Sequence, residues 1–286
     1  MRSWCAMNKK FLIAPGFFIL ALLVFGLAIN FLLPKADSRL TDADFKHHNK
    51  STAFNYVALG DSLTQGVGDT TNQGGFIPIL SRQLESDYRY QVTAKNYGVS
   101  GNTSQQILTR LEEKKDLKKD MQKADLLTLT LGGNDVMAVL RKNISDLTLD
   151  SFTKPAQDYQ KHLRKIIELA RKGNKGLPIY VLGIYNPYYL NFPDMTQMQE
   201  VVDNWNEGTK QVTQEYDKVY FVEINDRLYK GIDGKEGVTE SGDGSNKADK
   251  RNDVLYEKDH FHPNNTGYQI MANAVLEKVN ETKKDW

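Results

Sequence analysis

Five short apolar runs recur along the chain, at 55–59, 91–96, 126–131, 179–184 and 219–224. Several are apolar nearly throughout rather than alternating, as strands covered on both faces tend to be. Between them the period changes. Tyr159, Leu163, Ile166, Ile167 and Ala170 fall at i, i+4, i+7, i+8 and i+11, one stripe of a helix, and Tyr268, Met271, Ala272, Val275, Leu276 and Val279 repeat the pattern near the end. Segments 75–87, 104–118 and 195–216 are further predicted helices. Strand–helix alternation with connections of this length predicts a parallel sheet between helical layers. In such sheets the functional crevice lies beyond the carboxyl ends of the strands. Gly60 to Ser62, Gly98 to Gly101, Gly132 to Asn134 and the stretch after Ile184 all fall there. Segment 231–258, rich in Gly, Asp and Lys, is a long loop of the kind that is usually functional or mobile.

One apolar stretch does not belong to this pattern. Residues 11–33 form 23 consecutive positions without a charge. A helix needs about 20 apolar residues to cross a bilayer core, whereas the apolar core of a cleaved signal peptide is about 7–15 residues long. The expected organisation is a cytoplasmic stub at 1–10, a transmembrane signal-anchor at 11–33, a polar tether at 34–53 and one domain at 54–286. Basic residues flank the span on both sides, so their count does not orient it. A ten-residue stub is the natural cytoplasmic end, which puts the domain on the extracytoplasmic side, or secreted if the chain is cut near Ala28. Met7 would itself make a sensible start, leaving 1–6 as an upstream extension.

The 37 basic residues against 36 acidic ones leave a net charge of +1, which offers no electrostatic case for nucleic acid. Cys5 is the only cysteine, so no disulfide can form within the domain.

The chemistry gathers around LGDSLTQGVG, where Ser62 follows a predicted strand and precedes a glycine-punctuated turn. A serine hydroxyl needs a base and oxyanion donors to act as a nucleophile, and most serines in such places only turn the chain. The Gly-x-Ser-x-Gly elbow is absent because position 64 is Thr, and the phosphate-binding Gly-x4-Gly-Lys pattern is absent because Val67 follows Gly66. Of five histidines, His47 and His48 lie in the tether, and His162 sits mid-helix beside an apolar stripe, where a surface or packing role fits better. That leaves the run DHFHPN. A carboxylate three residues before an imidazole can reach back to Nδ1–H in a tight turn, so Asp259 and His262 are the better pair and His260 the weaker base. The bland alternative is that His262 merely precedes the last helix.

Two loops offer oxyanion donors beside the Ser62 N–H. NYGVSGNT carries Gly101 at a predicted helix start, and LGGND carries Asn134, whose amide can donate where an ionised Asp could not. A metal site is not expected: Asp259, His260 and His262 lack a spaced third or fourth ligand set.

These blocks together resemble the SGNH hydrolases, also called the GDSL lipase/esterase family. Gly60-Asp61-Ser62-Leu63 resembles the first block, Asn96 to Gly101 the second, Gly132-Gly133-Asn134-Asp135 the third and Asp259-His260-Phe261-His262 the last, in the family's order. The narrower likeness is to membrane-tethered or secreted lipolytic enzymes of Gram-positive bacteria. The resemblance implies a three-layer α/β/α sandwich with a five-stranded, flavodoxin-like parallel sheet. It implies a cofactor-free serine mechanism with a Ser62, His262 and Asp259 triad, and an oxyanion hole from Ser62, Gly101 and Asn134. The expected substrates are acyl esters, among them lysophospholipids. O-acetyl groups of cell-wall or polysaccharide substrates are the second expectation, and a non-catalytic envelope-binding module the third. Tyr188, Tyr189, Leu190 and Phe192 could line an acyl site or equally anchor their loop.

Overall fold

Strand β1 (Thr52–Gly60) carries the logic of the whole sheet. Its odd positions Val57 and Leu59 enter one apolar core, and its even positions Phe54, Tyr56 and Ala58 enter another. Successive strand side chains point to opposite faces, so a strand that is apolar throughout has to be covered on both. β2 (Tyr90–Gly98), β3 (Leu126–Thr130), β4 (Ile179–Leu182) and β5 (Val219–Val222) complete a five-stranded, wholly parallel sheet in the order β2-β1-β3-β4-β5. The computed structural model describes residues 18, 22–25, 51–142, 147–190, 196–232, 237–239 and 249–285.

The helices follow the chain in the order α1 (Ser62–Gln65), α2 (Phe76–Tyr88), α3 (Ser104–Glu113), α4 (Lys115–Met121), α5 (Gly133–Lys142), α6 (Asp150–Ala170), α7 (Thr196–Gln214), α8 (Asn225–Leu228) and α9 (Asn265–Thr282). Residues of α3 to α7 fill the core on the Val57 face, and residues of α2, α8 and α9 fill the core on the Tyr56 face. This is the expected three-layer arrangement. Buried Leu positions such as Leu59, Leu111 and Leu163 are of the kind whose truncation to Ala costs about 2–5 kcal/mol. Polar residues on the Tyr56 face are paired: Thr128 Oγ1 lies 2.8 Å from Tyr56 Oη.

All five expected strands are present, within a few residues of the expected ends. The helix expected over 104–118 is two, because Lys114 leaves the helical region with φ −80° and ψ 110°. Helix α5 starts at Gly133, in a stretch that reads as a loop from its glycines. The long 231–258 segment contains a short antiparallel pair, β6 (Gly237–Thr239) and β7 (Asp249–Arg251).

The chain divides into two units, Met1–Lys50 and Ser51–Trp286. Of the expected anchor only Phe18 and 22–25 are described, as exposed helical residues. The rest of it, the stub and most of the tether lie outside the described residues. No described helix is long and apolar enough to cross a membrane.

Candidate active site

The strand order reverses between β1 and β3, and the site sits beyond the carboxyl ends of those two strands, as doubly wound sheets dictate. After β1 ends at Gly60, Asp61 turns the chain with φ −101° and ψ −146° and caps α1, its Oδ1 accepting the Leu63 N–H at 3.0 Å. The same oxygen accepts the Thr130 hydroxyl from β3 at 2.8 Å. Asp61 is thus a buried carboxylate tied to both strands of the switch point. Burial pushes its carboxyl up, while the Thr130 and Leu63 donors and the nearby His262 ring pull it back.

Ser62 directly follows this anchored residue. It is only 5% exposed, and it opens on a small cleft that also reaches Asn134, Leu131, Ile184, Tyr185 and Phe261. As the first residue of α1, its N–H has no intrahelical acceptor.

The second loop is tied to the first. Asn96 Nδ2 donates to Thr64 O at 2.9 Å, and Gln65 Oε1 accepts the Ser100 N–H at 2.6 Å. The N–H groups of Asn102 and Thr103 are likewise taken, by Val99 O and Gln106 Oε1. Among the described residues the N–H of Gly101 has no acceptor. Its φ of +80° belongs to the left-handed region that favours glycine, and no atom lies within 4 Å of where a Cβ would stand. Asn134, in the first turn of α5, donates through Nδ2 to Asn102 O at 3.0 Å, and among the described residues its second amide hydrogen has no acceptor.

The Asp259–His262 pair forms as its spacing predicts. Asp259 Oδ1 accepts the N–H groups of Phe261 at 2.9 Å and His262 at 3.0 Å, and Oδ2 lies 2.7 Å from His262 Nδ1. His260 takes φ +51° to close the turn. An ionised carboxylate only accepts, so Nδ1 carries the hydrogen and Nε2 of the neutral ring is left as the acceptor. Burial pushes the Asp259 carboxyl up, but the His262 ring together with the N–H groups of His262 and Phe261 outweighs it and leaves the carboxyl below its ordinary value.

The serine and the histidine come to one rim of the sheet. Phe261, beside His262, lines the Ser62 cavity, and the His262 ring acts on the Asp61 carboxyl. A Cβ on Gly68, six residues after Ser62, would stand 3.3 Å from His262 Cβ. Among the described residues Ser62 Oγ and His262 Nε2 share no hydrogen bond; in unliganded sites such bonds are often long and tighten only with substrate.

Several positioning residues carry no sequence signal. Arg110 on α3 donates from Nη2 to Gly60 O at 2.8 Å and from Nη1 to Tyr97 O at 3.0 Å, gripping the ends of β1 and β2. Asp69, buried, accepts N–H groups from Thr71, Gln73, Gly74 and Gly75 and fixes the loop behind His262. Tyr185 Oη donates to Phe261 O at 2.5 Å, and burial pushes its phenol far up, so it stays a neutral donor. Of the aromatic residues weighed as an acyl wall, Tyr188 packs on Phe261 and Tyr189 on Tyr229, while Phe192 lies outside the described residues. From this segment it is Tyr185 and Pro187 that reach the cavity wall.

Residues 58–270 match the GDSL-like lipase/acylhydrolase family. The chain is 31% identical over 237 residues to the uncharacterized protein YpmR of Bacillus subtilis (strain 168), covering 82% of this chain and 85% of YpmR. It is 26% identical over 224 residues to the spore germination lipase LipC of Bacillus licheniformis, covering 77% and 93%. Among solved structures it resembles the lipase Lip_vut3 from a goat rumen metagenome, with TM-score 0.64 and 25% identity over 78% of this chain and 96% of that one. It shares its fold with Axe2, an acetylxylan esterase from Geobacillus stearothermophilus, with TM-score 0.54 and 22% identity over 80% and 95%. The chain belongs to the GDSL-like lipase/acylhydrolase family and is a carboxylic ester hydrolase.

Proposed function

We propose that this ester hydrolase works through a Ser62, His262 and Asp259 triad on esters with an apolar acyl chain, and that residues 11–33 hold it at the outer face of a membrane. Ser62 Oγ attacks the ester carbonyl as His262 Nε2 takes its proton, and Asp259 holds the ring in the Nδ1–H tautomer. The oxyanion accepts hydrogen bonds from the N–H groups of Ser62 and Gly101 and from Asn134 Nδ2. His262 then protonates the leaving alcohol, and the acyl group stays on Ser62. Water attacks the acyl-enzyme, giving its proton to His262, and the acid departs as Ser62 regains its hydrogen. No cofactor enters any step.

The Asp259–His262 hydrogen bond of 2.7 Å carries this reading, because it fixes which nitrogen is free to act as base. The unused N–H of Gly101 and the spare hydrogen of Asn134 support the oxyanion assignment.

The cavity wall favours a chain longer than acetate. Leu63, Leu131, Ile184, Tyr185, Pro187 and Phe261 line the cleft beside the serine, a wall whose apolar character suits methylenes beyond an acetyl methyl. Each buried methylene contributes about 0.8 kcal/mol, or about fourfold in kcat/KM while the cavity still has room. A series of p-nitrophenyl esters from acetate to dodecanoate tests this: kcat/KM should climb beyond acetate and then level off, and Ser62→Ala should be inactive throughout. A profile that peaks at acetate would move the reading to the O-acetyl esterase alternative, the activity printed for Axe2.

The attachment rests on the 23 uncharged residues at 11–33, long enough to span. Protease treatment of intact cells should release the domain while a cytoplasmic marker stays protected; a protected domain would overturn the orientation.

A further inference from the structure

The mechanism makes no use of a second cluster of serine, aspartate and histidine, and it lies directly behind the oxyanion loop. Ser104 is wholly buried. Its N–H donates to Asp135 Oδ2 at 2.9 Å, its Oγ lies 2.6 Å from Asp135 Oδ1, and His162 Nδ1 lies 2.9 Å from the same Oγ. Asp135 follows Asn134 in the first turn of α5, and His162 comes from the middle of α6.

The proton assignment is constrained. When Asp135 is ionised it can only accept, so the single hydroxyl hydrogen of Ser104 then points to it, and the remaining bond at Oγ is donated by His162 Nδ1–H. Burial pushes the Asp135 carboxyl up, and the Ser104 hydroxyl, the Ser104 N–H and the His162 ring oppose it. The chain therefore runs from a half-exposed imidazole through a hydroxyl to a mostly buried carboxylate.

Part of this arrangement is helix capping, since the Ser104 N–H at the start of α3 has no intrahelical acceptor and Asp135 takes it. Thr103 and Gln106 already close the start of α3 with a reciprocal capping box. What Asp135 adds is a second hold on the loop. Asn134 grips Asn102 O and Asp135 grips the Ser104 N–H and hydroxyl, so consecutive residues of α5 clamp the backbone on both sides of Thr103. Gly101, next to Asn102, is thereby held with its N–H fixed in direction.

We propose that Asp135, Ser104 and His162 form a positioning relay that holds the Gly101–Asn102 backbone against Asn134, setting the geometry of the oxyanion hole. This rests on the reading of Gly101 and Asn134 as oxyanion donors. The three residues touch no substrate and act through the loop. Donors held within a few tenths of an ångström of the oxyanion stabilise the transition state more than the bound ester, so loosening them lowers kcat and leaves KM largely alone.

The test is a double-mutant cycle of Asp135→Asn with Asn134→Ala, read as kcat and KM on a p-nitrophenyl ester. Asp135→Asn alone should lower kcat about tenfold or more with KM within about twofold. In the Asn134→Ala background the same change should cost less than about threefold, because residues acting as one unit are not additive. Equal losses in both backgrounds, a loss confined to KM, or no loss would overturn the relay while leaving the oxyanion reading intact. Near-normal turnover of Asn134→Ala alone would overturn both.

His162 supplies a second arm that does not disturb the core, since its ring borders a surface cleft with Thr103, Ser151 and Lys154. His162→Gln keeps an N–H donor and His162→Leu does not. The leucine variant should have a kcat about tenfold below that of the glutamine variant, the scale of one lost hydrogen bond; equal turnover of the two would contradict the relay even if Asp135→Asn failed to fold.

Discussion

His262 Nδ1 lies 2.7 Å from Asp259 Oδ2, and the other oxygen of the same carboxylate accepts the His262 N–H. One residue thus fixes both the backbone and the ring of the proposed base. Asp259→Asn keeps the size of the side chain and removes its obligatory acceptor character, so the ring is free to take the wrong tautomer. Steady-state hydrolysis of a p-nitrophenyl ester should show kcat lowered about 10³–10⁴-fold with KM little changed. A loss under tenfold would mean that Asp259 does not orient the ring.

The Asn134 amide spends one hydrogen on Asn102 O and has one to offer. Removing a single oxyanion donor typically costs about 10²–10³ in kcat, and Asn134→Ala should fall in that range. Asn134→Asp, ionised and unable to donate, should be no better than the alanine variant.

Tyr185 Oη donates to Phe261 O at 2.5 Å, at the back of the Asp259–His262 turn. Tyr185→Phe leaves that carbonyl without its buried partner, a loss of about 1–3 kcal/mol in stability by chemical denaturation. A turn that relaxes even slightly misplaces Nε2, so kcat should also drop, by roughly tenfold or more. Unchanged kcat with reduced stability would make Tyr185 a packing residue only.

The legible part of this protein is what local pattern determines. The five strands could be read because β1, β3 and β4 are apolar on both faces, and the Asp259–His262 pair because three residues of spacing suffice to close a turn. The split at Lys114 could not be read: the run EEKKDLKK holds no glycine or proline to announce it. Nor could the start of α5, where two glycines read as a loop although Asn134 and Asp135 begin a helix. His162 reads in the sequence as a surface or packing residue beside an apolar stripe, and it is half-exposed. Its bond to Ser104, 58 positions away, exists only because α3 and α6 pack on the same face of the sheet. Arg110 and Tyr185 escaped for the same reason: each acts on a backbone carbonyl far along the chain, and a carbonyl has no sequence signature.

Acid should loosen the loop behind the histidine. Burial pushes the Asp69 carboxyl up, but the Thr71 hydroxyl and the N–H groups of Gly75, Thr71 and Gly74 outweigh it and hold it below its ordinary value. A carboxyl lowered by folding contributes stability that is fully present above its unfolded pKa, about 3.9, and is lost as pH falls through the folded value. Urea midpoints should therefore decline for the intact protein below about pH 4. Asp69→Asn should be less stable at pH 7 and show a flatter decline in acid. Parallel curves for the two proteins would assign the acid sensitivity to other groups.

Ser62 and His262 come to one rim from opposite ends of the domain, and the proposed chemistry requires them to act on the same proton. Labelling with a fluorophosphonate, followed by peptide mapping, reads that directly. A single adduct on Ser62 is expected in the intact protein, with none in Ser62→Ala and a rate at least about 100-fold slower in His262→Ala, the contribution of a positioned general base. An adduct on another residue, or an undiminished rate without His262, would contradict the mechanism.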